Sequence, residues 1–428
     1  MVPPSPSDPL PEPAGTTPAE CALLVDAALA EVLRAAPVDR PVGVARRVLA
    51  RPDVTGPSAL PSHAAVDAAA VLVLADERAD AARALEALTS GARDRGDVGV
   101  LVSALTVRSN LHRRSGELAA AFADAEEAEA LAREAGLGSY GRFAVASLVE
   151  GFLERDRVDD AEAALVRAGL DGALPDDCAG NAVLVSRALL REAQGRRPEA
   201  VADLREGGAR LAAAGMEHPG FLPWRSSLAL LLHADGEDLE ARRLVAEELR
   251  NARLVGLPRA LAIAVLAAAT ITPQSTRLAR LEHVAELVDA VADPAARVRA
   301  RMAIGRELAR LDRHEDAREP LRDALDLAVR CGAARSAAQA RAALVAAGGR
   351  PRSDVLRGPA ALTPAELRVA QMAADGLTNA SIAEHLVVVP RTVEMHLTAA
   401  FRKLGVAARS DLGAALAVAA SLGDRFLL

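Results

Sequence analysis

One pairing recurs along most of this chain: a Gly or Asp followed five residues later by an Ala. The pairs are Asp76/Ala81, Gly116/Ala121, Asp156/Ala161, Gly195/Ala200, Gly236/Ala241 and Asp312/Ala317. Successive alanines lie 40, 40, 39, 41 and 76 residues apart, the last being two periods of 38 with a degenerate unit at Gln274/Ala279 in the gap. The Gly or Asp turns a corner, and the small Ala lets the next helix lie close to the one before it. A period near 40 with two helices per unit implies an α-solenoid, whose units bury their apolar faces only by stacking. Composition agrees. Hydrophobic residues make up 51% of the chain but aromatics only 2%, with Ala dominant. That mixture suits closely packed helices and argues against a β-sandwich or barrel.

The 428 residues have room for two or three domains. Residues 1–17 are rich in Pro and Ser and read as a disordered tail. Residues 18–347 carry nearly continuous helical periodicity. The Gly-, Pro- and Arg-rich run GGRPRSDVLRGPAA begins at Gly348 and supplies a linker (348–357) before a last domain at 358–428. Each of Trp224, Tyr140 and Phe143 reads either as an anchor between repeats or as an aromatic platform for an effector in the solenoid groove.

The last domain has the densest signals. Thr363, Pro364 and Glu366 form a capping signature, Leu362 and Leu367 a hydrophobic staple, and Gly376 a left-handed stop. Thr378 caps a second helix over Asn379 to Leu386, Val387 to Val389 form a turn, and Pro390 opens a third helix to Leu404. Val393, Leu397, Phe401 and Leu404 share one face of that helix, and Arg391, Glu394, Met395, Thr398 and Arg402 the opposite one. Three short helices with this turn between the second and third make a helix-turn-helix reader of the DNA major groove.

With those residues in place, the region resembles the LuxR-type DNA-binding domain. The matching words are LT at 362, Gly376, TNASIAEHL from 378, RTVEMHL from 391 and RKLGVAARSDL from 402. The resemblance implies a four-helix domain whose last helix, about Arg409 to Ala420, pairs two copies through Leu412, Ala415, Leu416 and Ala419. Double-stranded DNA is the implied partner. The candidate contacts are Thr378 and Asn379, then Arg391, Thr392, Glu394, Met395, His396, Thr398, Arg402 and Lys403. Glu394 and Met395 are suited to base edges, and Arg391, Arg402 and Lys403 to phosphates. His396 either touches a phosphate or supports the helix. Ala365, Ala380 and Val389 depart from the family pattern, which favours polar residues there.

The repeat region resembles tetratricopeptide-like hairpins with longer helices. From about Gly141 onward the chain is similar to the C-terminal half of the large ATPase-linked, MalT-like LuxR regulators, on words such as GRRPEAVADLREGG and HEDAREPLRDALDLAVRCGA. In that group a helical array senses a signal, here an unknown protein or small molecule. The group's ATPase does not carry over. No GxxxxGK[ST] occurs, and Lys403 is the only lysine of the chain.

The remaining classes have little support. Cys21, Cys178 and Cys331 are widely spaced, which indicates neither a zinc site nor a disulfide framework. No signal peptide or 18-residue apolar run is present, so a cytoplasmic location with no membrane is expected. Acid pairs such as Asp159/Asp160 lie where helices are capped, and no motif places a nucleophile beside a base. The expectation is therefore a dimeric, non-enzymatic transcriptional regulator without a cofactor. The competing reading is an interaction scaffold with a weak DNA domain. Net charge is −7 overall, while residues 357–428 hold seven Arg or Lys against six Asp or Glu. Attraction to phosphate must then come from where the charges sit, not from their sum.

Overall fold

The computed structural model describes residues 17–51, 63–291, 293–351, 362, 364–386, 388–404, 406, 408–413 and 415–416. Among these there are twenty α-helices and no strand, so the fold is all-α. Two compact units divide the chain, Met1–Gly349 and Arg350–Leu428.

The first unit begins with α1 (Pro18–Leu33), α2 (Asp39–Leu49), α3 (His63–Leu74), α4 (Arg78–Arg95), α5 (Val98–Ser115) and α6 (Leu118–Glu134). It continues with α7 (Gly138–Glu154), α8 (Val158–Arg167), α9 (Cys178–Ala193), α10 (Arg197–Ala213), α11 (Trp224–Ala234) and α12 (Asp238–Val255). It ends with α13 (Pro258–Thr270), α14 (Gln274–Asp289), α15 (Pro294–Arg310), α16 (His314–Cys331) and α17 (Ala334–Ala346). Thr17, placed in the tail by the sequence, is instead the N-cap of α1. Its hydroxyl accepts from the Glu20 amide at 3.2 Å, and its own amide donates to the Glu20 carboxylate at 3.1 Å. The remainder of the tail and most of the linker lie outside the described residues.

The recurrent pair has a repeated geometry. Asp76, Gly116, Asp156, Gly195, Gly236 and Asp312 all adopt left-handed φ values between 58° and 85°. The amide after each donates back to a carbonyl of the preceding helix (Glu77 to Leu72, Glu117 to His112, Arg157 to Phe152, Arg313 to Leu308) at 2.9 Å. This is a Schellman stop, which satisfies carbonyls that a helix end leaves orphaned. The paired alanine then closes the first turn of the next helix, its amide donating to the residue four before it at 3.0–3.2 Å. All six alanines are buried. A second set of left-handed glycines, Gly96, Gly136, Gly169, Gly215, Gly256 and Gly332, ends the second helix of each hairpin in the same way. The gap unit does not follow the pattern. Ala279 is exposed, the turn before α14 is Thr272-Pro273, and Leu281 is the buried anchor. Proline there presets the entry to α14 without a left-handed residue.

Each helix packs on the next, and first helices of neighbouring hairpins also touch (α3 with α5, α5 with α7, α7 with α9). The array also folds back on itself: α5 meets α15 and α7 meets α17. Gly116 lies so close to Pro294 that a Cβ there would fall 2.7 Å from its ring. The loop between α10 and α11 closes on α1, where the Leu33 carbonyl accepts from the amides of Glu217 and His218 at 2.7 and 3.0 Å.

At this closure sits Arg114, only 4% exposed. It donates to the Val73 carbonyl at 2.9 Å, to Asn110 Oδ1 at 2.7 Å and to the Gly220 carbonyl. Burial, helped by nearby Arg259, pushes its pKa down to about 9. Arg259 pairs with the buried Asp293 at 2.8 Å, and Asp293 caps α15 through the Ala296 amide. Trp224 is buried in the core beside Gly208, where a Cβ would collide with the indole at 2.4 Å. That is the anchoring role rather than a platform.

Two stability predictions arise here. Replacing Arg114 by Leu strands two buried carbonyls and should cost about 3 kcal/mol, read as a lowered denaturant midpoint; Arg114→Lys should recover only part, since it cannot reach both carbonyls at once. At the exposed turn residue Asp312, Gly should be neutral or stabilising by up to about 1 kcal/mol, whereas Val should destabilise by about 1–2 kcal/mol. Equal melting temperatures for the Gly and Val variants would remove the left-handed turn from the account.

Candidate nucleic-acid interface

The second unit contains α18 (Pro364–Ala374), α19 (Asn379–Leu386) and α20 (Pro390–Leu404). Gly376, at φ 88°, ends α18, and the Leu377 amide donates to the Met372 carbonyl at 3.1 Å. The Thr378 hydroxyl accepts from the Ser381 amide at 3.2 Å, capping α19. The Val388 amide bonds the Ala383 carbonyl at 3.0 Å, which shapes the turn, and α20 opens at Pro390. Thr363 and Val387 lie outside the described residues.

Burial orients α20. Val393, Leu397 and Ala400 enter a core with Val369, Ala370, Ala373, Ile382 and Ala383, and Phe401 and Leu404 pack at its edge. The opposite side exposes Arg391, Glu394, Met395 and Thr398. Met395 is 64% exposed. Thr398 donates its hydroxyl to the Glu394 carbonyl at 2.8 Å, which leaves its oxygen lone pairs to face outward. Thr392 and His396 are half-buried flanking residues. Val388 and Val389, at 39% and 64% exposure, extend this face with two apolar side chains beside the start of α20. The Arg402 side chain is outside the described set.

Two residues differ from the sequence expectation. Lys403, expected at a phosphate, is buried and pairs with Glu366 at 2.6 Å. The stripe that buries Val393 and Leu397 also brings position 403 over α18, so its charge is spent inside the domain. Leu412, expected at a dimer interface, is fully buried in the domain's own core, with Leu416 packed partly against it. The chain reaches it through a short 3₁₀ turn, Arg409–Asp411, stabilised by the Ala408 amide on the Asp411 carboxylate at 3.2 Å. Ala415 is half-buried, and Ala419 lies outside the described residues.

Arg409 was given no role from the sequence. It donates to the Ala373 carbonyl at 3.3 Å, to Asn379 Oδ1 at 2.8 Å and to the Leu377 carbonyl. It thereby ties the end of α18 to the start of α19 and holds the side chain of Asn379, a candidate DNA contact. Nothing in local periodicity marks such a clip, because its partners lie 30 to 36 residues away. With Lys403 and Arg409 engaged internally, two of the seven cations in 357–428 are withdrawn from any phosphate.

Comparison with known proteins agrees with this geometry. Residues 360–415 match the family model for bacterial regulatory proteins of the luxR family. A stretch of 61 residues is 46% identical to a Mycobacterium bovis protein named as a candidate HTH-type transcriptional regulator. Over the same length the chain is 46% and 44% identical to proteins so named from two strains of Mycobacterium tuberculosis. Each match covers 14% of this chain and 7% of the relative, so the chain spans a small fraction of those proteins' length.

The buried pair carries its own prediction. Lys403→Ala removes the cation paired with the buried Glu366 carboxylate and should destabilise the second unit by about 3–5 kcal/mol. Hydrogen exchange in the intact chain should then speed up across α18 and α20 while the helical array keeps its protection. Unchanged exchange there would mean the pair is dispensable.

Proposed function

We propose that this chain is a sequence-specific DNA-binding transcriptional regulator whose α20 enters the major groove. The observation that carries this reading is the division of α20 into a buried stripe, Val393, Leu397 and Ala400, and an exposed polar face, Arg391, Glu394, Met395 and Thr398. The luxR-family match over 360–415 supports it. Glu394 would accept from a cytosine amino group, Met395 would press on a thymine methyl, and Arg391 would meet phosphate. Two copies would bind two half-sites, because one unit presents so few free cations. Pairing would use Ala415, Leu416 and the residues beyond them, since Leu412 is committed to the core. The helical array would be the sensing part, of tetratricopeptide-like type, as in the ATPase-linked group but without a nucleotide switch. The protein would act in the cytoplasm and catalyse no reaction. Among the described residues no helix is long and apolar enough to cross a membrane. The internal use of Lys403 and Arg409 favours one alternative, a helical scaffold whose DNA domain binds weakly.

Binding to a randomised operator library separates the roles. Glu394→Ala should change the preferred base at one position, with a loss of about 1–3 kcal/mol there. Arg391→Ala should weaken all sequences alike and reduce the salt slope by about one. An unchanged motif for Glu394→Ala would remove the base-reading role. Genome-wide mapping of the intact protein should give discrete paired sites; no enrichment would favour the scaffold.

A further inference from the structure

The helical array forms a half-open cavity of about 270 Å³ between α1, α3, α5, α7, α9 and the loop before α11. Its wall is largely apolar, built from residues such as Leu33, Val73, Val107, Phe143 and Phe221. Tyr140 lines it and stacks on His63, with ring centroids 4.8 Å apart and planes 8° from parallel. Neither Tyr140 nor Phe143 is therefore a plain core anchor.

Several polar groups on the wall are already engaged. Ser103 and Thr106 donate to carbonyls of their own helix at 2.9 and 2.8 Å. Arg113 faces Glu150 at 3.2 Å. Arg114 and Asn110 bond one another, and Arg114 also holds two backbone carbonyls. Ser147, the Tyr140 hydroxyl, the His63 ring nitrogens and Asp67 are not engaged in this way, and of these Asp67 is the carboxylate. Its carboxylate lines the cavity and has no hydrogen bond or ion pair among the described residues. Burial, with Asp26 nearby, pushes its pKa up to about 6. A half-buried, unpaired carboxylate costs stability, and such strain is commonly retained where a ligand relieves it.

We propose that this cavity binds a small amphiphilic amine, its hydrocarbon or aromatic body against Phe143, Phe221 and Val107 and its cationic nitrogen on Asp67. Charge complementarity selects the class: Arg113 faces Glu150 and Arg114 lies 3.5 Å from Asp76, which leaves Asp67 as the lining charge without a counter-ion among the described residues. A neutral molecule leaves that carboxylate desolvated, and an acid adds repulsion. Size limits it too: a dry cavity of roughly 150 Å³ accommodates benzene, so this one suits about eight to fourteen non-hydrogen atoms. The occupant would touch α1, α3, α5 and the loop that bonds the Leu33 carbonyl, and so strengthen the closure of the array. This inference rests on the reading of the array as the sensing part of a regulator and names the chemistry of its signal.

Calorimetry on the full chain tests it, with 2-phenylethylamine and tryptamine as probes and 2-phenylethanol and 3-phenylpropanoate as neutral and acidic counterparts. One amine should bind per chain, about 10- to 100-fold tighter than the alcohol, which is the worth of one charged hydrogen bond. Asp67→Asn should lose that margin, keep binding the alcohol, and melt at a higher temperature than wild type when no ligand is present. Failure of both amines to bind, equal affinity for amine and alcohol, preference for the acid, or unchanged amine affinity in Asp67→Asn would each overturn the proposal. Operator binding is measured on the same samples without amine. DNA binding without amine binding defeats this inference alone. Amine binding in a chain that binds no DNA upholds the site and defeats the regulatory reading.

Discussion

The helical array depends on a turn that the backbone makes reluctantly. In six of the hairpins a left-handed residue at the end of the first helix reverses the chain within a few residues. The Schellman bond that follows satisfies carbonyls which would otherwise be buried bare. Five residues on, an alanine with almost no exposed surface lets the second helix lie against the first. A larger side chain there would separate the pair, and the displacement would pass to the next hairpin, because first helices stack on first helices. Asp serves at three of these turns and Gly at three, since both tolerate the left-handed region better than other residues.

Closure of the array depends on charge taken out of water. Arg114 is buried with two backbone carbonyls and an asparagine, and Arg259 with Asp293, where α3, α5, α13, α15 and the loop before α11 converge. Buried charges contribute little net stability but punish misassembly, because an arginine without these partners is left stranded. The depressed pKa of Arg114 has the same origin. Near this keystone lies the cavity with the unpaired Asp67. Matched charges define where the array closes, and an unmatched one lies beside them.

The second unit solves a different problem. It has few residues for a core, and it spends two of its cations, Lys403 and Arg409, on holding three short helices together. Among the described side chains, what remains outward on α20 is mixed: Arg391, Glu394, Met395 and Thr398. Such a face suits discrimination between base edges better than general attraction to phosphate.

Much of this was legible in the sequence, because it is local. Gly or Asp at a corner, Ala five residues later, Gly376 after α18, Thr378 before α19 and Pro390 before α20 each act through backbone atoms a few residues away. The apolar stripe of α20 likewise follows from 3.6 residues per turn alone. Tertiary structure decided what depends on distant partners. Lys403 looked like a phosphate contact until α18 brought Glu366 beneath it, 37 residues earlier in the chain. Leu412 showed an interface-like spacing, yet the domain's own core claimed it. The irregular unit at Gln274 concealed its true anchor, Leu281, because proline entered the helix without the usual turn. Periodicity shows which face of a helix is apolar. Only the assembled fold shows whether that face meets its own domain, a second copy or a ligand, because that depends on which remote segment arrives there first.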